Sequence, residues 1–136
     1  MNFIIAYGKY IVIAMTRMYS RILDYKGRTG RQEFRWGFAY YLGIVISGEV
    51  YTVGADVAPL WLGLDFIYEL FIYLTIGALM MSIIRRLHDA DRSGWAVLVI
   101  LVPFIGFFML LFLLVLNSAD GPNKFGPKPH HWKYYT

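Results

Sequence analysis

The 136-residue sequence contains no cysteine, and it is poor in charge. Without thiols the chain can form neither a disulfide framework nor a thiolate metal site. Charged residues make up 16% of the chain, whereas soluble domains carry about 25%. Hydrophobic residues reach 58%, so the composition indicates a membrane protein.

Three long runs are nearly free of charge, and each approaches the roughly 20 residues needed to cross a bilayer. The last run has no ionisable residue, and Pro103 and Gly106 predict a kink within it. We therefore predict an all-α integral membrane helical bundle with about three transmembrane helices. The predicted transmembrane domain is 26–116, with spans at 36–53, 60–84 and 95–116, and a polar C-terminal tail follows at 117–136.

The N-terminal segment 1–25 has a two-sided character. At 100° per residue, its polar side chains fall within an arc of about 140°, and most of the remaining face is apolar. This pattern predicts an amphipathic helix lying in the membrane interface. A tilted spanning helix is the alternative.

The distribution of lysine and arginine predicts the orientation, because cytoplasmic loops are rich in both. Seven precede the second apolar run, three lie in the connector at 85–92 and three in the tail. With three crossings, the N-terminal region and the connector are cytoplasmic and the tail lies outside. If the last run instead folds back at Pro103–Gly106, all thirteen share one side.

The connector "RRLHDADRSGW" concentrates six ionisable residues within the eight positions from Arg85 to Arg92. A structural interpretation explains most of them. Arg85 and Arg86 end one helix, Arg85 pairs with Asp89 four residues later, and Asp91 or Ser93 begins the next helix. His88 beside Asp89 could act as an acid or base. Since no nucleophile lies near it in the sequence, an enzyme is less favoured.

The functional interpretation is an arginine cluster at the cytoplasmic face. Guanidinium groups suit phosphate headgroups or an acidic partner. The predicted binding residues are Arg28, Arg31, Arg85, Arg86, His88, Asp89 and Arg92. The predicted intramembrane acidic residues are Glu49, Asp65 and Glu69, which either reach the outer interface or form a polar cluster for a proton, a cation or a partner helix.

Three ordered motifs, "GRTGRQEFRW", "RRLHDADRSGW" and "NKFGPKP", resemble those of a bacterial inner-membrane family, the domain of unknown function 805 or YhaH-like proteins. The resemblance covers roughly residues 20 to 129. It implies location and architecture but no reaction. The order of residues in "NKFGPKP" suggests a packed turn, which could dock on the connector if the two share one side.

The sequence thus predicts a small multi-pass protein of the bacterial inner membrane that acts as a binding or assembly component. The alternatives are a subunit of an oligomeric transporter or channel, and a headgroup-level enzyme using His88. No catalytic residue, cofactor or metal is predicted. The expected partners are anionic lipids, with a second copy or another membrane protein as the alternative, and nucleic acid is not expected.

Overall fold

The computed structural model describes residues 2–55 and 64–129, with side chains over 7–49 and 66–129. The elements are α1 (Asn2–Ser20), α2 (Arg31–Ala55), α3 (Leu64–Asp89), a 3-10 helix (Gly94–Leu101) and α4 (Ile105–Val115). Within these described ranges there is no strand, and β-type pairing is confined to an isolated bridge between Asn123 and Gly126. The predicted all-helical class is confirmed.

α3 is the clearest candidate for a membrane crossing. Over Phe66–Asp89, 24 residues, it is long and apolar enough to span, and no other helix in the described part of the chain meets both conditions. The predicted span 36–53 lies inside α2, whose first turn also carries Arg31, Glu33 and Arg35. The number of crossings therefore remains a prediction.

α1 packs on both long helices at its aromatic side chains. Tyr10 stacks on Trp36 of α2, with ring centroids 5.7 Å apart. The Tyr19 hydroxyl lies 2.6 Å from the Thr75 hydroxyl of α3, within hydrogen-bond distance. Whether α1 crosses the membrane or lies in its interface stays a prediction, because these contacts suit either placement.

The last apolar run, predicted as one crossing over 95–116, is not one helix. The 3-10 helix of eight residues rises about 16 Å at roughly 2.0 Å per residue. α4, with eleven residues, rises about 16 Å at 1.5 Å per residue. Val102 to Phe104 separate the two, and Phe104 has φ 64°. Pro103 lacks the N–H that a continuing helix would use.

The two helices form a hairpin that brings the chain back to the end of α3. Gly106 is buried beneath the backbone of Ile100, and a Cβ there would collide with the Ile100 carbonyl. The amide of Ala119 in the tail donates to the carbonyl of Asp89 at 2.8 Å. The expectation that the tail lies opposite the connector is therefore wrong, and the fold-back alternative describes the structure.

The apolar core gathers where α2, the end of α3 and the end of α4 meet. Its buried members are Phe34, Leu79, Ile83, Leu87 and Leu113. The core places the last turn of α3 against the chain before α2 on one side and the C-terminal tail on the other.

Candidate functional site

The last turn of α3 is charged and yet buried. Arg85, Arg86 and Asp89 have no exposed surface, and Arg28 is 5% exposed. Burial of charge is tolerated when ion pairs and hydrogen bonds replace water. We call these four residues the arginine network.

Asp89 is the centre of the arginine network. Its Oδ1 accepts hydrogen bonds from Nε of Arg28 at 3.1 Å and from Nη2 of Arg28 at 3.0 Å. Its Oδ2 accepts from Nη1 of Arg86 and from the hydroxyl of Ser118. One carboxylate therefore joins the chain before α2, the end of α3 and the tail.

The remaining donors of Arg28 and Arg86 go to backbone carbonyls. Nη1 of Arg28 donates to Gly121 at 2.9 Å and Gly126 at 3.2 Å. Nε of Arg86 donates to Leu113 at 3.2 Å, and its Nη2 donates to Leu116. Both guanidinium groups therefore fix the returning chain in place.

Arg85 does not pair with Asp89, so the predicted i, i+4 salt bridge is wrong. Arg28, Arg86 and Ser118 occupy the Asp89 carboxylate instead, and Arg85 points toward the chain before α2. Its Nε donates to the hydroxyl of Thr29 at 3.0 Å, and its Nη1 donates to the carbonyl of Asp24 at 2.8 Å. Within the described residues Arg85 forms no ion pair. It is a buried cation held by neutral acceptors.

The other predicted binding residues are not gathered into the arginine network. Arg31 is exposed and donates to Oδ1 of Asn117 at 2.7 Å. Arg92 is exposed beyond the end of α3. Of the predicted acidic residues, Glu49 and Glu69 are exposed, and the side chain of Asp65 lies outside the described residues.

His88, which is 6% exposed, lies flat against the tail. Its ring stacks on Phe125 with centroids 3.7 Å apart and planes 3° apart. Nδ2 of Asn123 donates to the His88 carbonyl at 2.9 Å. Asn123 and Gly126 close the turn through two backbone bonds at 3.1 and 2.9 Å, and Gly126 adopts φ 121°, a conformation that favours glycine. This is the docked turn that the motif suggested.

A groove of about 1000 Å³ opens beside the His88–Phe125 stack. We call it the lysine groove, because Lys26 and Lys124 line it while no carboxylate among the described side chains does. Its other walls are mostly apolar and come from the loop after α1, from α3, from the 3-10 helix and from the tail. They include Ile22, Leu23, Met81, Ile84, Trp95 and Leu98. No local sequence pattern indicates this groove, because the hairpin and the docked tail create it.

A smaller polar cavity of about 390 Å³ lies elsewhere on the docked tail. We call it the basic cup, since four cationic side chains and one carboxylate line it. They are Arg17, Arg21, Arg28, Lys128 and Glu33. The N-terminal segment, α2 and the tail contribute these residues. Only the tertiary fold brings them together.

A comparison of the sequence with known protein families identifies the family to which this chain belongs. The model of a protein family of unknown function, DUF805, matches residues 22–127. The chain belongs to the DUF805 family. The matched region contains Arg28, the charged end of α3 and the docked turn of the tail, so the arginine network lies inside the DUF805 region.

Two relatives from Escherichia coli strain K12 support the DUF805 assignment. The chain is 37% identical over 109 residues to inner membrane protein YhaI, and the aligned region covers 79% of this chain and 86% of YhaI. It is 30% identical over 116 residues to inner membrane protein YhaH, covering 79% of this chain and 88% of YhaH. No solved structure matches the chain.

Proposed function

We propose that the chain is a multi-pass protein of the bacterial inner membrane that binds an anionic phospholipid in the lysine groove. The names of its two relatives support the location, and the apolar α3 supports the insertion. The single observation that carries the proposal is a mostly apolar groove that two lysines line and that no acidic residue of the described part of the chain lines.

The chemistry of the groove suits a lipid. Apolar walls exclude water and accept an acyl chain, while a few placed polar groups orient the ligand. Within the described residues, Lys26 and Lys124 form no ion pair. Each ammonium instead lies over an aromatic ring, 5.6 Å from Tyr25 and 5.0 Å from Phe125. A cation near anionic lipid contributes about 1 kcal/mol.

The lysine groove fits a headgroup better than the arginine network does. A headgroup at Arg28, Arg85 or Arg86 would have to displace carbonyl, hydroxyl or carboxylate acceptors that already hold each guanidinium. Breaking a buried charge pair costs about 3–5 kcal/mol. The two lysines carry no such cost, since they lie at an open cavity.

The test is retention of lipid in native mass spectrometry after purification in mild detergent. We expect the wild type to retain phosphatidylglycerol over phosphatidylethanolamine. The double variant Lys26→Gln with Lys124→Gln should reduce retention about thirtyfold, because two favourable charges of about 1 kcal/mol each are removed. Lys9→Gln with Arg92→Gln removes the same charge from exposed positions outside the groove and should have no effect. Equal retention by both double variants contradicts the proposal.

The orientation is tested separately, with single cysteines in a chain that has none. Because the tail docks on the connector, we expect all thirteen lysine and arginine residues to lie on the cytoplasmic side. Arg92→Cys and Asp120→Cys should resist an impermeant thiol reagent in intact cells and react after lysis. Glu49→Cys, near the other end of α2, should react in intact cells. Labelling of Asp120→Cys with protection of Arg92→Cys contradicts the docked tail.

A further inference from the structure

We infer that the basic cup is a second binding site, and that it takes a phosphate group. This inference does not depend on the lysine groove, because the two cavities draw on different cations. Lys26 and Lys124 line the groove, whereas Arg17, Arg21, Arg28 and Lys128 line the cup. Phe125 lines both cavities.

The first support is the charge of the cup. Four cations face one carboxylate, Glu33, which is shared between two of them. Nη1 of Arg17 lies 3.2 Å from Oε2 of Glu33, and Nη1 of Arg21 lies 3.9 Å from Oε1. Glu33 therefore holds the two guanidinium groups side by side. Paired guanidinium forks match the oxygens of a phosphate group.

The second support is accessibility. The side chains of Arg17 and Arg21 are 30% and 32% exposed, and that of Lys128 is 48% exposed. Arg28 only forms part of the wall, because it is ion-paired with Asp89 and its donors remain with Asp89 and the tail. The cup therefore has three cationic side chains that can reach a ligand.

Two further carboxylates contact these cations from the edge of the cup. Asp24 accepts from Nη2 of Arg21 at 2.7 Å, and Asp120 accepts from Lys128 at 2.9 Å. Neither lines the cup. Asp120 is fully exposed, and exposed ion pairs add little to stability. An incoming phosphate can replace Asp120 at Lys128 and approach Arg21 from the cup.

The shape and polarity of the cup limit its ligand. Its lining is more polar than that of the lysine groove and its volume is less than half as large, so it suits a phosphate group without an acyl chain inside. The phosphate could belong to a phosphomonoester lipid headgroup or to free phosphate. These two sources share one recognition chemistry and are separated by experiment.

The experiment is calorimetric titration of the full chain in neutral detergent, with 150 mM potassium chloride to screen exposed charges. One arm uses inorganic phosphate. The other uses short-chain phosphatidic acid, with short-chain phosphatidylcholine as its control. Binding in both arms indicates a general phosphate site. Phosphatidic acid binding that persists in Lys26→Gln with Lys124→Gln, without binding of inorganic phosphate, indicates the lipid source. Binding in neither arm overturns the inference.

Variants assign any binding to the cup. Arg17→Gln with Lys128→Gln should weaken phosphate binding at least tenfold, and Lys128→Gln at an exposed position should weaken it about threefold without a risk to folding. Lys9→Gln with Arg92→Gln should leave it unchanged. The groove variant, Lys26→Gln with Lys124→Gln, should also leave it unchanged, so the two proposals can fail separately. Phosphate binding that Lys128→Gln and the cup double variant leave intact overturns the inference.

Discussion

The two ends of α3 reverse the pattern of a soluble protein. Near its start the helix carries exposed apolar side chains, with Phe66 at 70% and Leu70 at 59% exposure. At its other end the helix is charged and buried, with Arg85 and Asp89 at 0%. One continuous helix therefore meets two different environments.

The difference follows from what surrounds each end. Apolar side chains facing hydrocarbon need no protein partner, so the first half of α3 can stay uncovered. Buried charges need partners, and water is excluded where the tail covers the last turn of α3. The polar end of α3 is thus where tertiary structure is specified, since its bonds join three segments distant in the sequence.

Removing the carboxylate of Asp89 should have the largest effect on the buried end of α3. Asp89→Asn leaves the guanidinium groups of Arg28 and Arg86 buried without their charge partner. Breaking a buried pair costs about 3–5 kcal/mol, and two pairs are broken here. We expect a large loss of folded protein, measured as the thermal unfolding midpoint and the monodisperse fraction in detergent.

Asp91→Asn is the matched control for this change. It makes the same substitution two residues away, at an exposed position with φ 57°, and asparagine tolerates that conformation. We expect an unchanged midpoint. Similar midpoints for Asp89→Asn and wild type would show that the arginine network contributes little to stability.

The substitution Arg86→Lys should have a smaller effect, and it tests whether the arginine network needs only positive charge or also the geometry of the guanidinium group. Arg86→Lys keeps the positive charge, but one ammonium cannot reach Asp89, Leu113 and Leu116 as the guanidinium fork does. Leaving buried acceptors unpaired costs about 1–3 kcal/mol. We expect Arg86→Lys to lower the unfolding midpoint clearly. Arg92→Lys, at an exposed position, should leave the midpoint unchanged. Equal midpoints for Arg86→Lys and wild type would show that charge is sufficient.

A further substitution tests how tightly the hairpin of the 3-10 helix and α4 is packed. Gly106→Ala places a Cβ against the Ile100 backbone, which cannot move as a flexible side chain can. Overpacking of this kind costs about 1–3 kcal/mol. Gly77→Ala is the control, because nothing lies within 4 Å of its added Cβ, and it should leave the midpoint unchanged or raise it. A hairpin that tolerates Gly106→Ala would not be packed as described.

The sequence predicted the parts of the fold that depend on local pattern. The apolar runs predicted the helices. The sequence also predicted that Asp91 or Ser93 begins the next helix. Ser93 does so, since its side chain accepts a hydrogen bond from the Trp95 amide at the start of the 3-10 helix. The proline in the last run gave a kink. Each depends on residues within a few positions of one another.

The rest depends on contacts between distant segments. A run of 22 apolar residues matches one crossing in length, and only the packing of Gly106 on Ile100 shows that it turns back. The partners of Arg28 are carbonyls about 90 residues away, which no local pattern encodes. The predicted span ends at residue 84, before the connector, whereas α3 continues through the first five residues of the connector.

The smallest predicted effect concerns Asp24, in the loop beside the basic cup. Burial acts to raise its pKa, but hydrogen bonds from the Arg21 side chain and the Gly27 backbone, with the charge of Arg21, outweigh burial and lower the pKa below the ordinary 3.8. A carboxyl with a lowered folded pKa stabilises the fold above about pH 4, and this contribution is lost as the pH falls through the folded value. At neutral pH, Asp24→Asn should therefore speed hydrogen exchange at the amides of Lys26 and Gly27, which donate to its Oδ1 at 3.2 and 3.1 Å.

The effect should be small because Asp24 is 38% exposed, so solvent screens its charge. Once the pH falls below the lowered pKa of folded Asp24, the variant and the wild type should exchange alike, since the wild-type carboxyl is then protonated too. Asp120→Asn is the control, because Asp120 contacts Lys128 and not this loop. Faster exchange in Asp24→Asn that persists unchanged at low pH would show that shape, and not charge, orders the loop.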